Sequence, residues 1–329
     1  MRTNIMKRNP ILLWKKHLPI LFIFSMLAIR AGAEESNAIT FTGIPGQLQI
    51  AIAHHPFATY VYQDDAIPRP YFCNVHAQSG VPVTRTHPPR EGIDSTDHEP
   101  FHPGLWLAFG DLSGSDFWRN RAETRHIQFI EEPHVRPDGS ARFAVLNHYL
   151  AAPGGTMICR EECQYTILVQ PEGIRMIWKS RFSSDTVFTL GDQEEMGLGV
   201  RMATPLTVKE GGTILNREGK RNEKEVWGRA SDWCDYSKEI DGETVGLLLM
   251  PSPGNFRRSW FHARDYGLLV ANPFGRKAFN QGESSRIVVP EGETFPFTFG
   301  LFIHNFHGEP KETLEQAYQD FLVLLKEHE

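Results

Sequence analysis

Gln164-Tyr165-Thr166-Ile167-Leu168-Val169, followed by Pro171-Glu172-Gly173 and then Ile174-Arg175-Met176-Ile177-Trp178, is the stretch that decides the fold. Two short runs rich in β-branched and aromatic residues flank a Pro- and Gly-containing break, the pattern of antiparallel strands joined by a turn. The same pattern recurs in Leu48–Ile52, Ala141–Val145, Val245–Met250, Tyr266–Val270 and Phe295–Phe302. Pro137-Asp138-Gly139, Pro153-Gly154-Gly155 and Asp241-Gly242 supply further turns, while Gly211-Gly212 and Pro253-Gly254 mark longer loops. Only the C-terminus has helical spacing: over residues 310–327, Leu314, Ala317, Tyr318, Phe321, Leu322 and Leu325 form one apolar stripe.

An all-β chain with one terminal helix follows, and a large antiparallel β-sandwich accommodates so many short strands. Its length and aromatic-rich composition look similar to the galactose-mutarotase-like supersandwich of aldose epimerases and several polysaccharide lyases.

Among 329 residues the net charge is -6, so a nucleic-acid partner, which needs a basic face, is not expected. Arg2, Lys7, Arg8, Lys15 and Lys16 precede an apolar run from Leu18 to Ile29 and then Ala31-Gly32-Ala33. Residues 1–33 therefore read as a signal peptide, the apolar run being shorter than the roughly 20 residues of a spanning helix. The expectation is a single sandwich domain over residues 34–329, periplasmic or extracellular after cleavage and with no stable membrane insertion. Cys73, Cys159, Cys163 and Cys234 show no CxxC or zinc-finger spacing, and export permits disulfides without requiring them. Cys159 and Cys163, if extended, are roughly 13 Å apart at about 3.3 Å per residue, too far to bond without a turn.

The chemistry concentrates in Thr96-Asp97-His98-Glu99-Pro100-Phe101-His102-Pro103-Gly104-Leu105-Trp106, continued by Phe109-Gly110-Asp111 and Asp116-Phe117-Trp118-Arg119-Asn120. Imidazoles titrate near neutrality and indoles bind flat rings, so His98 and His102 are candidate acid-base residues, with Asp97, Trp106, Asp111, Trp118 and Arg119 as substrate contacts. Glu194-Glu195-Met196-Gly197-Leu198-Gly199-Val200-Arg201 reads as a strand whose small residues admit a ligand. Glu195 is the expected proton acceptor, and Arg201, an even interval away, is placed on the same face to bind a carboxylate or orient Glu195. Trp227, Arg229, Trp233, Asp235 and Tyr236 are read as a further wall; His262, a third catalytic candidate, shares strand parity with Arg264. Asn272-Pro273-Phe274-Gly275 reads as a scaffold turn, and His304 and His307 are reserve candidates.

These segments, together with Trp233-Cys234-Asp235-Tyr236 and Ser259-Trp260-Phe261-His262-Ala263-Arg264-Asp265-Tyr266-Gly267, resemble the bacterial family of unknown function labelled methane-oxygenase-like, or PmoA-like. The resemblance covers most of the chain after the leader. Its label implies a metal-dependent oxygenase, in which His98, His102 and a later histidine such as His262 would hold copper or non-haem iron. The residues themselves point first to an exported carbohydrate-active enzyme using His/Glu acid-base chemistry, by epimerisation, glycoside cleavage or elimination. The alternative is a non-catalytic carbohydrate-binding protein. No cofactor is predicted; a divalent metal is the alternative.

Overall fold

The computed structural model describes residues 38–327, so the expected signal peptide lies outside the described residues. The hairpin anticipated at Gln164–Trp178 is longer than its apolar runs: Met157–Gln170 pairs with Gly173–Ser183 from Arg160↔Ser183 to Gln170↔Gly173, leaving Pro171-Glu172 as the turn. It belongs to an eight-stranded sheet in the order Thr213–Asn216, Cys234–Ile240, Glu243–Pro251, Thr294–Phe306, Gly173–Ser183, Met157–Gln170, Ala141–Leu150 and Glu123–Val135. A nine-stranded sheet runs Ile39–Ile44, Gln47–Ile52, His55–Val61, Tyr71–Cys73, Leu105–Phe109, Met196–Arg201, Leu268–Asn272, Trp260–Arg264 and Arg229–Ala230. The paired strands of both sheets are antiparallel.

Strand alternation sends Phe143, Tyr165 and Trp178 of one sheet against Tyr60 and Phe72 of the other, which makes the molecule a sandwich. Phe72 lies 5.1 Å from Tyr165 and 5.8 Å from Trp178, and Tyr60 lies 5.4 Å from Phe143, between ring centroids. Each such ring contributes roughly 1.5–3 kcal/mol by leaving water. One carboxyl shares this interior. Glu161 accepts hydrogen bonds from Ser180 Oγ (2.5 Å), Asn147 Nδ2 (3.0 Å) and Tyr149 Oη (3.2 Å), and burial raises its pKa despite them.

The helix Pro310–Glu327 lays Leu314, Ala317, Tyr318 and Phe321 on Leu248, Met250 and Phe302, on the outer face of the eight-stranded sheet. Phe321→Ala would cost about 3–5 kcal/mol through the cavity it leaves. The strand expected at Tyr266–Val270 begins two residues later, at Leu268. Gly267 (φ +107°) donates to the Arg264 carbonyl and closes a turn there, a conformation only glycine adopts freely. All four cysteines are free and buried, with Cys159 and Cys163 facing the core from one strand.

Candidate functional site

The central strands of the nine-stranded sheet divide their side chains between the core and the outer face. Leu105, Leu107 and Phe109 point inward with Met196, Leu198 and Val200, leaving Trp106, Ala108, Gly197, Gly199 and Arg201 for the other side. Register aligns Trp106, Gly199, Val270 and His262 in one row and Arg201, Leu268 and Arg264 in the next. At about 4.8 Å per strand, the Arg201 and Arg264 backbones stand roughly 10 Å apart, the width of a sugar ring with its substituents. Gly199 cannot be larger: a Cβ there would meet Trp106 Cζ2 at 2.9 Å and Trp118 Cη2 at 3.1 Å.

Four rings stand nearly parallel over this floor. Tyr266, His98, His102 and Trp106 follow one another at centroid separations of 5.8, 5.1 and 5.1 Å with interplanar angles of 10–17°, and Trp118 meets Trp106 edge-on at 5.2 Å. His98 is the accessible imidazole of the stack, its side chain half exposed, whereas His102 is 2% exposed. His98 Nδ1 lies 2.8 Å from Asp97 Oδ2. Asp97 is in turn gripped by Arg201 through two bonds of 2.9 and 2.6 Å, and Ser95 Oγ donates to it as well. Desolvation alone would raise the Asp97 pKa; the hydrogen bonds from Arg201, Ser95 and His98 outweigh it and hold the carboxyl far below the usual range. An ionised Asp97 fixes the proton on His98 Nδ1 and leaves Nε2, which has no partner among the described residues, as a base. Asp97, His98 and Tyr266 line an open hollow of about 420 Å³ with Thr204, Lys209 and Glu210. His98 also has φ +54°, a strained conformation for a residue with a Cβ.

Two buried guanidiniums hold the loop that carries His98, and the sequence reading passed over both. Arg85 donates to the carbonyls of Ser95 (2.8 Å), Asp97 (2.7 Å) and His102 (3.0 Å); Arg69 donates to those of Phe101 (2.6 Å), Phe117 and Trp118 (both 3.1 Å). Apart from the Asn120 side-chain oxygen, which Arg69 also contacts, their partners are main-chain oxygens, which no residue type in the partner segment announces. Burial lowers the pKa of Arg69 to about 9 and of Arg85 to about 10. Burial, reinforced by Arg201, His98, Arg69 and Arg85, also pushes the His102 pKa well down, so its ring is neutral, with Nδ1 unpartnered.

A second cluster gathers around Glu194. His262 Nδ1 lies 3.2 Å from the Glu194 carbonyl, Arg264 Nε donates to His262 Nε2 at 2.9 Å, and Arg264 also contacts Glu194 (3.3 Å) and Glu223 (2.7 Å). Both nitrogens of His262 are thus engaged. Burial and then Arg264 lower its pKa to about 4, and with both nitrogens engaged this neutral ring positions Arg264 rather than serving as the third catalytic candidate expected from the sequence. Asn272 donates to the Gln193 and Glu194 carbonyls and caps Phe274 and Gly275, which is the scaffold role expected of that turn. Trp227, half-buried, receives the Arg264 guanidinium on its face at 5.7 Å.

Glu195 is partly exposed and ion-paired to Arg119, which Asp116 also holds. Arg201 therefore does not orient Glu195; it is committed to Asp97, because Glu195 precedes the strand and turns toward Arg119. His102, expected to move protons, is sealed between His98 and Trp106. Asp111 caps the turn at Gly114, and Arg229 is exposed on a two-residue edge strand. Trp233, Asp235 and Tyr236 are not in this wall at all: Trp233 packs under the terminal helix and donates to Glu315, Asp235 lies 2.8 Å from His304, and Tyr236 faces the core. Asp235 and Tyr236 lie on a strand, which Trp233 immediately precedes, that pairs within the eight-stranded sheet, an assignment that parity along one strand does not reveal. His98 and His102 present ring faces to each other while His262 is held by Arg264, so the three do not converge as ligands; among the described residues no group of three or more His, Cys, Asp or Glu is arranged to hold a metal ion.

No helix among the described residues is long and apolar enough to cross a membrane. Residues 47–319 match a family of unknown function designated DUF6807. No curated protein matches the chain. Similar solved structures include an α-galactosidase from Lactobacillus brevis (9% identity, TM-score 0.39, covering 83% of this chain and 40% of that one). Another is an α-galactosidase from Geobacillus stearothermophilus (10%, 0.40, 82% and 41%). A galactose mutarotase-like protein from Clostridium acetobutylicum (9%, 0.38) is covered along 100% of its length by 83% of this chain. The chain spans about two fifths of the length of the two α-galactosidases.

Proposed function

The chain belongs to the DUF6807 family of unknown function, and from that premise we propose that it is an exported carbohydrate-active enzyme working by acid-base catalysis at His98. The observation that carries this reading is the Asp97–His98 pair at 2.8 Å on the wall of an open hollow, with both Asp97 oxygens accepting from Arg201. A base held in one tautomer, with its second nitrogen unpartnered, is what proton abstraction from a hydroxyl or a carbon beside a carbonyl needs. Glu210, the second carboxylate lining the hollow, is the partner we assign for the opposite proton transfer, because Glu195, read from the sequence as the proton acceptor, is held by Arg119 and does not line it. Tyr266, stacked on His98, lines the same hollow and adds an aromatic edge to its wall.

Incubating residues 34–329 with a panel of neutral and acidic mono- and oligosaccharides, followed by NMR for anomeric exchange, new reducing ends and unsaturated products, tests the proposal. Turnover that disappears in His98→Ala supports it. Binding of a sugar with no chemical change in any member of the panel identifies a binding protein instead.

A further inference from the structure

We propose that the outer face of the eight-stranded sheet, remote in the fold from His98, holds a second site that binds an acidic oligosaccharide. A groove of about 700 Å³ runs there, larger than the 420 Å³ hollow beside His98. Its floor follows from the register: Gln164↔Lys179↔Thr298 and Glu162↔Arg181↔Pro296 form two cross-strand rows, while the intervening Cys163, Ser180 and Phe297 are buried on the core side. Directly opposed side chains in such rows are about 5 Å apart, so Gln164, Lys179 and Thr298 with Glu162 and Arg181 form a polar strip that Pro296 ends on one side.

The walls are fixed. Asn255 exchanges two bonds of 2.8 Å with the Thr298 backbone, which anchors the loop Ser252–Asn255 on one side, and Leu325 and Lys326 of the terminal helix line the groove as well. Arg142 is pre-oriented by Glu131 (2.8 Å) and Gln164 (2.9 Å). Arg181 is exposed and has no ion-pair partner among the described residues.

Charge selects the ligand. Arg142, Lys179, Arg181 and Lys326 line the groove against only two carboxylates, Glu131 and Glu162, on a chain whose net charge is -6. A cationic groove on an acidic protein complements an anionic chain. No aromatic side chain lines it, so recognition rests on carboxylate or sulfate groups rather than on ring stacking. The choice of a saccharide over an acidic peptide rests on the carbohydrate reading above.

The test titrates the protein with an α-1,4-linked hexagalacturonate and with maltohexaose, by calorimetry, at low and high salt. The uronate should bind at least tenfold more tightly than the neutral sugar, and binding should weaken about tenfold between 50 and 500 mM salt as screening sets in. Arg181→Glu should weaken uronate binding at least tenfold, and Arg142→Gln, which removes the pre-oriented guanidinium without reversing charge, should weaken it less. Equal affinity for both sugars, or uronate binding untouched by Arg181→Glu, would overturn the groove assignment while leaving the His98 proposal standing. Poly-L-glutamate binding as tightly as the uronate would also overturn it, in favour of an acidic polypeptide. Absence of turnover in the panel above, with uronate binding retained, would instead sink the catalytic reading alone.

Discussion

Two histidine–carboxylate pairs in this molecule have the same 2.8 Å contact and opposite surroundings. His98 and Asp97 are 50% and 36% exposed beside the hollow; His304 and Asp235 are 0% and 2% exposed on the helix-covered face of the eight-stranded sheet. Chemistry alone does not separate them. His304 is closed in by Phe302 and Phe306, its other nitrogen faces the Thr244 carbonyl, and Ser237 Oγ donates to the second oxygen of Asp235. His98 is stacked on both faces but open at one edge. The interior pair can contribute only to stability, and the outer pair is free to act on a ligand.

The sharpest separation comes from truncating each pair. His98→Ala should lower turnover roughly 100- to 10,000-fold, the usual contribution of a proton-transfer residue, with a melting temperature close to that of the parent. Asp235→Ala should do the reverse, costing about 3–5 kcal/mol in chemical denaturation by stranding a buried partner, while protein that stays folded keeps its turnover. Equal losses of activity and stability in both variants would erase the distinction. A smaller effect is expected for Asp97→Asn, which keeps the shape but no longer dictates the tautomer of His98. Turnover should fall about ten- to a thousandfold, since the amide can no longer hold the His98 proton on Nδ1 as the carboxylate does.

Titration separates the outer face from the core in sign. His262 has a folded pKa lowered to about 4, so the unfolded chain takes up the proton first as pH falls, and stability should decline from about pH 6.5 down to about 4. His102, lowered for the same leading reason, acts in the same direction. Glu161 is opposite: its raised pKa means that the folded protein keeps a proton the unfolded chain has lost, so stability falls as pH climbs above the ordinary glutamate range. Urea denaturation across pH should show the acid-side slope reduced in His262→Gln and the alkaline-side slope reduced in Glu161→Gln. Unchanged slopes would contradict the assigned shifts. The smallest effect belongs to Tyr266→Phe, which retains the ring against His98 and under Arg201 at 4.6 Å, so turnover should change less than about threefold.

What could be read in advance divides along physical lines. Hairpins such as Met157–Ser183 were legible because period-two patterning and a Pro-Glu-Gly break act locally. Strands of two or three residues, including Tyr71–Cys73 and Arg229–Ala230, are too short to carry a period and exist only through their neighbours. At the site, Asp97 and His98 are adjacent in the chain, so their pairing lay within reach of the sequence. The grip of Arg201 on Asp97 spans 104 positions, and Arg85 reaches its loop through carbonyls, which every residue has. Trp233, Asp235 and Tyr236 had the right composition for a sugar site but belong to the other sheet, a fact set by pairing rather than by residue type.

The most direct measurement is NMR of the sugar panel exposed in parallel to the parent protein and to His98→Ala, both verified as folded by their melting temperatures. The account predicts chemical exchange or conversion of at least one saccharide with the parent and its loss in the variant. Conversion that continues at the same rate without the His98 imidazole would contradict it.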